Sequence, residues 1–406
     1  MQGREASGVS QPIIVGSEEF NADPAAHYDW LRREAPVYKG RLPYVADQDV
    51  YFLSRHQDCV SMLTDPRFRR SVEGAPPLPF PKAIRFLTTD NMILKDDPEH
   101  RRLRRLVSKP FTPRAVARLG ERVDALTRGL LDELEPGREV DLQQAYALPV
   151  PVTVINEMMG VPAQDRSRFH GWMDLMIEGM AKYGIEKAAE YLESPIEYVR
   201  DLIERRRHDP AEDIMTGLIH AAEGGETLTD DELVAMVFTL IGAGYETTYH
   251  LITNGVATLL AHPDQLERLR EDPELMPSAV EEILRYSGPV GGTKPNYPAE
   301  DVELHWVTIP RASIVMPLLA SANRDPAAFE EPETFDIGRT PNDHIAFGTG
   351  HHFCLGASLA RLETRIALKN LIERFPRIRL AVDPEELQVA PLPLWHRLRG
   401  LPVVLG

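Results

Sequence analysis

The sequence predicts a mainly α-helical fold with small β-sheets. Three observations support this: helical spacing of apolar residues dominates from Pro98 to about Arg207, one long helix is predicted from about Asp230 to His262, and strand-like runs are short. The 406 residues are 43% hydrophobic and 26% charged, as in globular proteins that bury a sizeable core. Since no repeat or clear linker divides the chain, we expect one domain at 23–406 after a loose N-terminal arm, 1–22.

The first predicted elements follow that arm. The Asp23-Pro24 pair is a helix-start signal. The run "DVYFLSR" (49–55) alternates like a short strand, and "HQDCVSMLTDP" (56–66) has helical spacing. Residues 71–95 are rich in proline and apolar side chains without periodicity, which is typical of a functional loop.

The later elements surround the long helix. That helix is amphipathic at its ends and apolar in its middle, so we expect it to run through the centre of the protein. The segment "DVELHWVTIPRASIVMPLL" (301–319) predicts two strands around the Ile309-Pro310 turn, and a last helix is predicted from about Gly356 to Arg374. Breaks in the earlier helical region are predicted at Gly137, Gly160, Pro162 and Gly184.

Charge and cysteine content narrow the class of protein. The net charge of -17 argues against nucleic acid or an anionic membrane as the main partner. Two cysteines cannot form a disulfide scaffold. The N-terminal segment has no apolar signal region, and the most apolar run (233–244) is too short to span a bilayer. A soluble protein in the reducing cytoplasm is expected.

The stretch "HIAFGTGHHFCLGASLARLE" (344–363) crowds glycines, histidines and a phenylalanine around Cys354. A zinc site could use His351, His352 and Cys354, but this spacing is unusual for zinc. A nucleophilic cysteine would need a base and an oxyanion site, and no triad is evident. An axial thiolate on haem iron is the third possibility, since glycines let the backbone pass beneath a flat macrocycle and a following helix N-terminus favours the thiolate.

The segment "FGTGHHFCLG" (347–356) resembles the haem-binding signature of the cytochrome P450 family, F-G-x-G-x-H-x-C-x-G, at all seven defined positions. The resemblance implies haem b with Cys354 as thiolate ligand. It also implies the family's triangular-prism fold, with haem between the long central helix and the cysteine loop. The haem contacts that it implies in this loop are Phe347, Gly348, His352, Cys354, Leu355 and Gly356.

The segment "IGAGYETTYH" (241–250) resembles the family's oxygen-activating site on the central helix. Ala243 and Gly244 are expected beside the haem, because Gly244 removes a side chain where a ligand can approach and lets the helix open locally. Thr247 and Glu246 place a hydroxyl and a carboxylate in an apolar stretch, which predicts a proton relay to oxygen. Alternatively, Thr247 is an ordinary helix threonine bonded to the preceding turn.

Two further segments match the family. Glu282 and Arg285 form its E-x-x-R pair, and Arg339 is expected to complete a structural network with them. The segment "DDPEHRRLRRLVSKPFTPRAV" (96–116) resembles the helix at the haem edge, on which His100 and Arg104 lie one turn apart and suit a haem propionate.

The same helix carries a basic cluster in an acidic protein. We interpret the cluster as a docking surface for an acidic electron-transfer protein, a ferredoxin fed by an NAD(P)H-dependent reductase; a solvated charged face is the alternative. Its members are Arg101, Arg102, Arg105 and Lys109.

One position departs from the family. Members usually carry a propionate-binding arginine just before the first strand after the E-x-x-R helix, where this chain reads "GGTKPNYPAEDVEL" (291–304). Asn296 aligns with that arginine, and Lys294 is a possible substitute.

The resemblance implies a monomeric monooxygenase that inserts one atom of O2 into a hydrophobic small molecule, such as a bacterial polyketide, by hydroxylation or epoxidation. Successive oxidations with ring formation are compatible with it. A peroxide-driven peroxygenase and a non-catalytic haem sensor or carrier are the alternatives. The expected pocket residues are Leu94, Thr239, Ala243, Val290, Gly291 and Leu394.

Overall fold

The structure is a computed structural model. It describes residues 13–43, 48–76, 86–166, 171–172, 190–223, 226–390 and 392–406. The predicted helix break at Gly184 and part of the proline-rich loop (77–85) lie outside the described residues.

The prediction of a mainly helical chain with small sheets is confirmed. Some helices begin at a side-chain cap, such as Asp23 before Pro24. In chain order the helices are α1 (Glu18–Ala22), α2 (Pro24–Glu34), α3 (His56–Thr64), α4 (Phe86–Thr89), α5 (Glu99–Ser108), α6 (Pro113–Ala117), α7 (Gly120–Asp132), α8 (Pro149–Met158), α9 (Glu193–His208), α10 (Ile214–Ile219), α11 (Asp230–Ala261), α12 (Pro263–Glu271), α13 (Met276–Ser287), α14 (Leu319–Ala322) and α15 (Ala357–Arg374).

The strands are short and form small sheets at the edges of the helical body. In the first sheet, β2 (Val50–Leu53) pairs antiparallel with β1 (Val37–Gly40) and parallel with β10 (Ile314–Pro317). In the second sheet, β12 (Pro402–Val404) lies between β11 (Arg379–Leu380) and β4 (Glu139–Asp141). The pairs β3–β7, β5–β6 and β8–β9 are antiparallel. The strands are β1 (Val37–Gly40), β2 (Val50–Leu53), β3 (Phe68–Arg69), β4 (Glu139–Asp141), β5 (Ala222–Glu223), β6 (Glu226–Thr227), β7 (Tyr297–Pro298), β8 (Val302–Leu304), β9 (Val307–Ile309), β10 (Ile314–Pro317), β11 (Arg379–Leu380) and β12 (Pro402–Val404).

Helix α11 runs through the core, as its apolar middle predicts. Thr229 and Glu232 form a reciprocal capping box at its N-terminus. The helix packs against α8, α13 and α15, and it contributes to two large apolar clusters. Among the described residues, no helix is long and apolar enough to cross a membrane.

The expected extent of the N-terminal arm is wrong for residues 13–22. Ile13, Val15 and Phe20 are buried in one apolar cluster with Trp30 of α2. Helix α1 begins after Ser17, whose side chain accepts a hydrogen bond from the Phe20 backbone N–H. These few apolar residues have no periodicity of their own, so only their tertiary partners reveal that they are packed.

The strand pattern at 301–319 also differs from the prediction. Three strands form there instead of two, and the hairpin turn lies at His305 and Trp306, which both have positive φ angles. β10, after the Ile309-Pro310 turn, pairs with β2 and not with its sequence neighbour. A non-glycine pair in the left-handed region gives a weak turn signal, which explains the error.

Glu282, Arg285 and Arg339 lie in contact, with the first two almost fully buried. Arg285 donates two bonds to the Glu282 carboxylate, at 2.7 and 2.8 Å, and Arg339 Nε lies 3.1 Å from Glu282 Oε2. The remaining donors of Arg285 bond three backbone carbonyls, those of Asn323, Pro332 and Thr334. The network thereby ties α13 to the segment that leads into the Cys354 loop.

We expect Glu282→Ala to lower the free energy of unfolding by about 3–5 kcal/mol, because it leaves Arg285 buried without a counter-charge. Urea denaturation followed by circular dichroism measures this loss. Glu135→Ala is the matched control, since Glu135 and Arg138 have the same spacing and bond at 2.8 Å but are exposed. Equal urea midpoints for the two variants would contradict a structural role for the buried network.

Candidate active site

The Cys354 loop closes on itself before α15 begins. The Cys354 backbone N–H donates to the Phe347 carbonyl at 3.0 Å, and the Gly348 N–H donates to the Ile345 carbonyl at 2.8 Å. Gly348 and Gly350 have φ angles of +68° and +72°, where side chains other than glycine are strained. A Cβ at Gly350 would also meet the Leu63 carbonyl oxygen at 2.5 Å. The loop therefore depends on glycine at both positions.

The groups around the Cys354 sulfur shift its pKa in opposite directions. Burial raises the pKa of the thiol, whereas the Gly356 N–H, the charges of Arg104 and Arg361 and the Ala357 N–H lower it. These N–H groups belong to the first turn of α15, whose dipole also favours an anion. Burial outweighs the other groups, so the pKa of the Cys354 thiol lies above its ordinary value, and the N–H groups and arginines offset only part of the cost of a thiolate.

An aromatic and ionic layer covers one side of the loop. The Arg361 guanidinium lies 4.6 Å from the centre of the Phe347 ring. It bonds the Glu281 carboxylate at 2.6 and 2.7 Å, and His344 Nε2 lies 3.1 Å from the same group. Although burial opposes it, these bonds hold the pKa of Glu281 down at about 2. Phe347 is therefore fixed against the backbone that carries Cys354.

Arginine and histidine side chains from α5 and the cysteine loop converge. His100 is buried, and its ring lies 4.2 Å from the ring of His352 between centroids. Arg104 donates to the Phe353 carbonyl at 2.7 Å. Burial, followed by the positive charge of Arg70 and then of His100, lowers the pKa of His352 to about 3. This arrangement brings together His100, Arg104 and His352, as predicted for a propionate site, and adds Arg70, which the sequence did not indicate.

The middle of α11 has a solvent-accessible patch. Ala243 is exposed although residues 233–241 are buried, and Thr247 is partly exposed one turn further on. Lys294 is also solvent-accessible, yet desolvation lowers the pKa of its ammonium. This combination is expected for a side chain that faces a cavity within the protein. A Cβ added to Gly348 or Gly356 would meet no atom within 4 Å.

The expected ligand-facing role of Gly244 is not what the structure indicates. A Cβ at Gly244 would lie 3.0 Å from Ile155 Cγ1, so the missing side chain allows α8 to pack closely on α11. The helix remains regular through this position. Thr247 Oγ1 donates to the Ala243 carbonyl at 2.8 Å, which is the ordinary bond of a helix threonine to the preceding turn.

Glu246 lies in a buried ion pair with Arg397, near the C-terminus. Arg397 also stacks on Trp395, with 4.2 Å between the guanidinium carbon and the ring centre. One turn along α11, His250 is buried, and its two ring nitrogens have no partner among the described residues. Burial, then the positive charges of Arg397 and His396, lower the pKa of His250 to about 2.

Three of the expected pocket residues meet at one point. Gly291 N–H donates to the Leu394 carbonyl at 2.8 Å, and Val290 pairs with Trp395 as an isolated bridge. Thr239 is buried and its hydroxyl donates to the Ala235 carbonyl, so it is not free for a ligand in this structure. Leu94 is half-buried in a single 3₁₀ turn, Met92–Leu94.

The basic cluster on α5 divides into two parts. Arg101, Arg105 and Lys109 are exposed and lie at successive turns of one helix face. Arg102 faces elsewhere, because it pairs with Glu232 at the start of α11. It is therefore a tether between two helices and does not belong to the exposed face.

The chain belongs to the cytochrome P450 family, whose model matches residues 152–386. It is a cytochrome P450 monooxygenase, which confirms the class that the cysteine signature predicts. The family implies haem held by a cysteine thiolate, and O2 as the oxidant. A zinc centre finds no support, since the described residues contain no group of three metal-ligating side chains close enough to hold a metal ion.

The chain is similar over nearly its whole length to bacterial members. It is 38% identical to "Polyketide biosynthesis cytochrome P450 PksS" of Bacillus subtilis (strain 168), over 96% of this chain and 97% of that protein. The solved PksS structure superposes with a TM-score of 0.90, covering 96% and 99% of the two chains. "Cytochrome P450 monooxygenase PikC" of Streptomyces venezuelae is 39% identical over 99% and 96%.

A third relative is known in complex with a carrier protein. P450BioI, in complex with acyl carrier protein ligated to hexadec-9Z-enoic acid, is 34% identical with a TM-score of 0.88, over 96% and 99% of the chains. These likenesses confirm the cytochrome P450 fold.

We expect the stability of this protein to fall in acid partly through His250. Because its pKa is lowered from about 6.5 to about 2, the unfolded chain binds a proton more readily, and stability present above pH 6.5 is lost as the pH falls toward 2. His250→Leu should remove on the order of 2 kcal/mol of the loss between pH 6.5 and 4.5. Urea midpoints across this range measure it.

The exposed His220 supplies the control for this titration, as His220→Leu should leave the pH profile unchanged. An unaltered acid slope in His250→Leu would mean that the ring is not kept neutral by its surroundings.

Proposed function

We propose that Cys354 is the thiolate ligand of the haem iron and that the cluster of His100, Arg104 and His352 binds the haem carboxylates. The observation that carries this proposal is the Cys354 sulfur at the start of α15, with the Gly356 and Ala357 N–H groups directed at it. The fit to haem is supported from the opposite side, where Ala243 breaks an otherwise buried helix surface. Arg104 carries a positive charge, and the rings of His100 and His352 can donate hydrogen bonds, which together suit an anionic group; Asp97 lies 3.5 Å from His100 Nδ1 at the edge of this cluster.

When bound, thiolate-ligated haem supplies the activation of O2 that inserts one oxygen atom into a substrate and releases the other as water. The chain contributes electrostatics and positioning. The N–H groups at Cys354 limit the charge density on sulfur, and Phe347, held by Arg361, screens it from water.

Proton delivery is assigned to Thr247. Its Oγ1 donates to the Ala243 carbonyl and keeps lone pairs that can accept a bond from water, on the helix face that is partly exposed. Glu246 is the neighbouring acid, and Arg397 orients its carboxylate through their ion pair. A hydroxyl next to an oriented carboxylate can pass protons from water into an apolar site.

The substrate is proposed to be a hydrophobic small molecule of the polyketide class. Support comes from the similarity to PksS, a cytochrome P450 of polyketide biosynthesis, and from the largely apolar set of Leu94, Val290, Gly291 and Leu394. Of these residues, Gly291 and Leu394 are held together by a backbone hydrogen bond, which gives that wall of the pocket a defined shape.

Electrons are proposed to come from NAD(P)H through a reductase and an acidic ferredoxin. The exposed face of Arg101, Arg105 and Lys109 supports docking on α5, because an acidic protein is steered toward clustered positive charge. The same helix carries Arg104, which bonds the Phe353 carbonyl next to Cys354, so a partner docked there lies close to the thiolate.

The reduced protein under CO should show the red-shifted Soret band of thiolate-ligated haem. Cys354→Ala should abolish this band, since no other sulfur can replace the ligand; Cys59 is buried at the α3 helix. Cys59→Ala is the matched control and should keep the band. A histidine-type spectrum from active wild-type protein would overturn the assignment of Cys354.

Thr247→Ala should keep haem bound while lowering the product formed per NAD(P)H several-fold, because protons then reach the site without a positioned hydroxyl. The measurement compares NAD(P)H consumption with product and hydrogen peroxide. Thr248→Ala changes the adjacent, buried threonine and should leave the ratio unchanged. An equal yield of product per NAD(P)H in Thr247→Ala and wild type would exclude Thr247 from the proton path. Full activity of the wild type with peroxide alone would favour a peroxygenase.

A further inference from the structure

Arg70 is a buried cation without a carboxylate partner. Its exposed fraction is 8%, and Nη1 donates to the Lys294 and Pro295 carbonyls at 2.6 and 3.0 Å. Its Nε is buried and has no hydrogen-bond partner among the described residues. Nearby Asp96 accepts instead from the backbone N–H groups of Arg70 and Ser71. A buried guanidinium in this state is costly unless an anion completes its bonds.

The position of Arg70 follows from strand pairing. In the β3–β7 pair, Phe68 lies opposite Pro298 and Arg69 opposite Tyr297, and Arg70 follows directly after the paired residues. Its Nη1 bonds the Lys294 and Pro295 carbonyls, which precede Asn296. The Arg70 guanidinium therefore lies beside the backbone segment that carries Asn296.

Asn296 is occupied within its own loop and is neutral. Its Nδ2 donates to the Lys294 carbonyl at 3.1 Å, which is also the acceptor for Arg70. Lys294 has Glu246 as the charge that favours its ammonium most strongly, while the nearby charges of Arg70 and then Arg397 disfavour it. Neither Asn296 nor Lys294 has a guanidinium group. The positive charge of Arg70 lies near enough to His352 of the cysteine loop to lower the pKa of that ring.

We propose that Arg70 binds a carboxylate of the haem group, in place of an arginine at position 296, and that Lys294 does not. The inference rests on the proposed haem site. Asp96 positions the guanidinium by bonding the Arg70 backbone, and it lies just ahead of α5, which carries His100 and Arg104. Arg70 thus completes, from a distant strand, the cationic side of the site.

The test follows transfer of haem from the purified holoprotein to excess apomyoglobin. Arg70→Gln should release haem about tenfold faster or more, as expected for loss of a charge-assisted hydrogen bond. Lys294→Met and the control Arg69→Gln, which removes an exposed arginine of the same strand, should stay within about twofold of wild type. Asn296→Arg in the Arg70→Gln background should restore slow release, because it returns a guanidinium to the segment that Arg70 contacts.

Each outcome decides the matter. Equal rates in Arg70→Gln and Arg69→Gln, or fast release in Lys294→Met instead, would overturn the assignment. If Arg70→Gln fails to retain haem or to fold, recovery by Asn296→Arg supports the assignment of Arg70 to a haem carboxylate. Absence of recovery overturns it and means that Arg70 only bonds backbone carbonyls. The CO spectrum separates this from the haem-thiolate proposal, because a wild-type protein without the thiolate band would refute that proposal whatever Arg70 does.

Discussion

The proposed haem site depends on holding Cys354 as a sulfur anion in a place from which water is largely withdrawn. Burial alone disfavours the Cys354 thiolate, and the structure answers with backbone N–H groups of α15 and the charges of Arg104 and Arg361. Fixed dipoles of this kind stabilise an anion without reorganising. A sulfur on a flexible or fully solvated loop would lose this balance, because water would then solvate the charge in place of the N–H groups.

The rigidity of the loop comes from outside it. Gly350 fits against the Leu63 carbonyl at the end of α3, and the buried Glu282 network fixes the chain that leads into the loop from α13. Glu281, next to Glu282, bonds Arg361 and thereby positions the guanidinium against Phe347. Two adjacent residues of α13 therefore have different roles. Glu282 stabilises the fold, and Glu281 positions the side chains around Cys354.

The features that could be predicted from the sequence are those that neighbouring residues determine. Cys354 and the glycines around it are recognised by spacing, and the long helix by its unbroken apolar middle, which the structure confirms as Asp230–Ala261. Arg70 could not be found this way, since its position depends on pairing with a segment 224 residues away. The same holds for Arg397 beside Glu246, for Ile155 against Gly244 and for the packed residues 13–22. Long-range contacts decide these cases, and periodicity does not encode them.

Two regions of the interior differ in charge, and they are proposed to have different functions: binding of the haem carboxylates and proton delivery. The side formed by β3, α5 and the cysteine loop gathers Arg70, His100, Arg104 and His352, which suits carboxylates that stay in place. On α11 the Glu246–Arg397 pair is balanced, and His250 next to it is kept neutral by burial and by that arginine. The ammonium of Lys294 is a further positive group that Glu246 favours. A neutral His250 adds no further positive charge beside the Glu246–Arg397 pair, which is proposed to support the relay at Thr247.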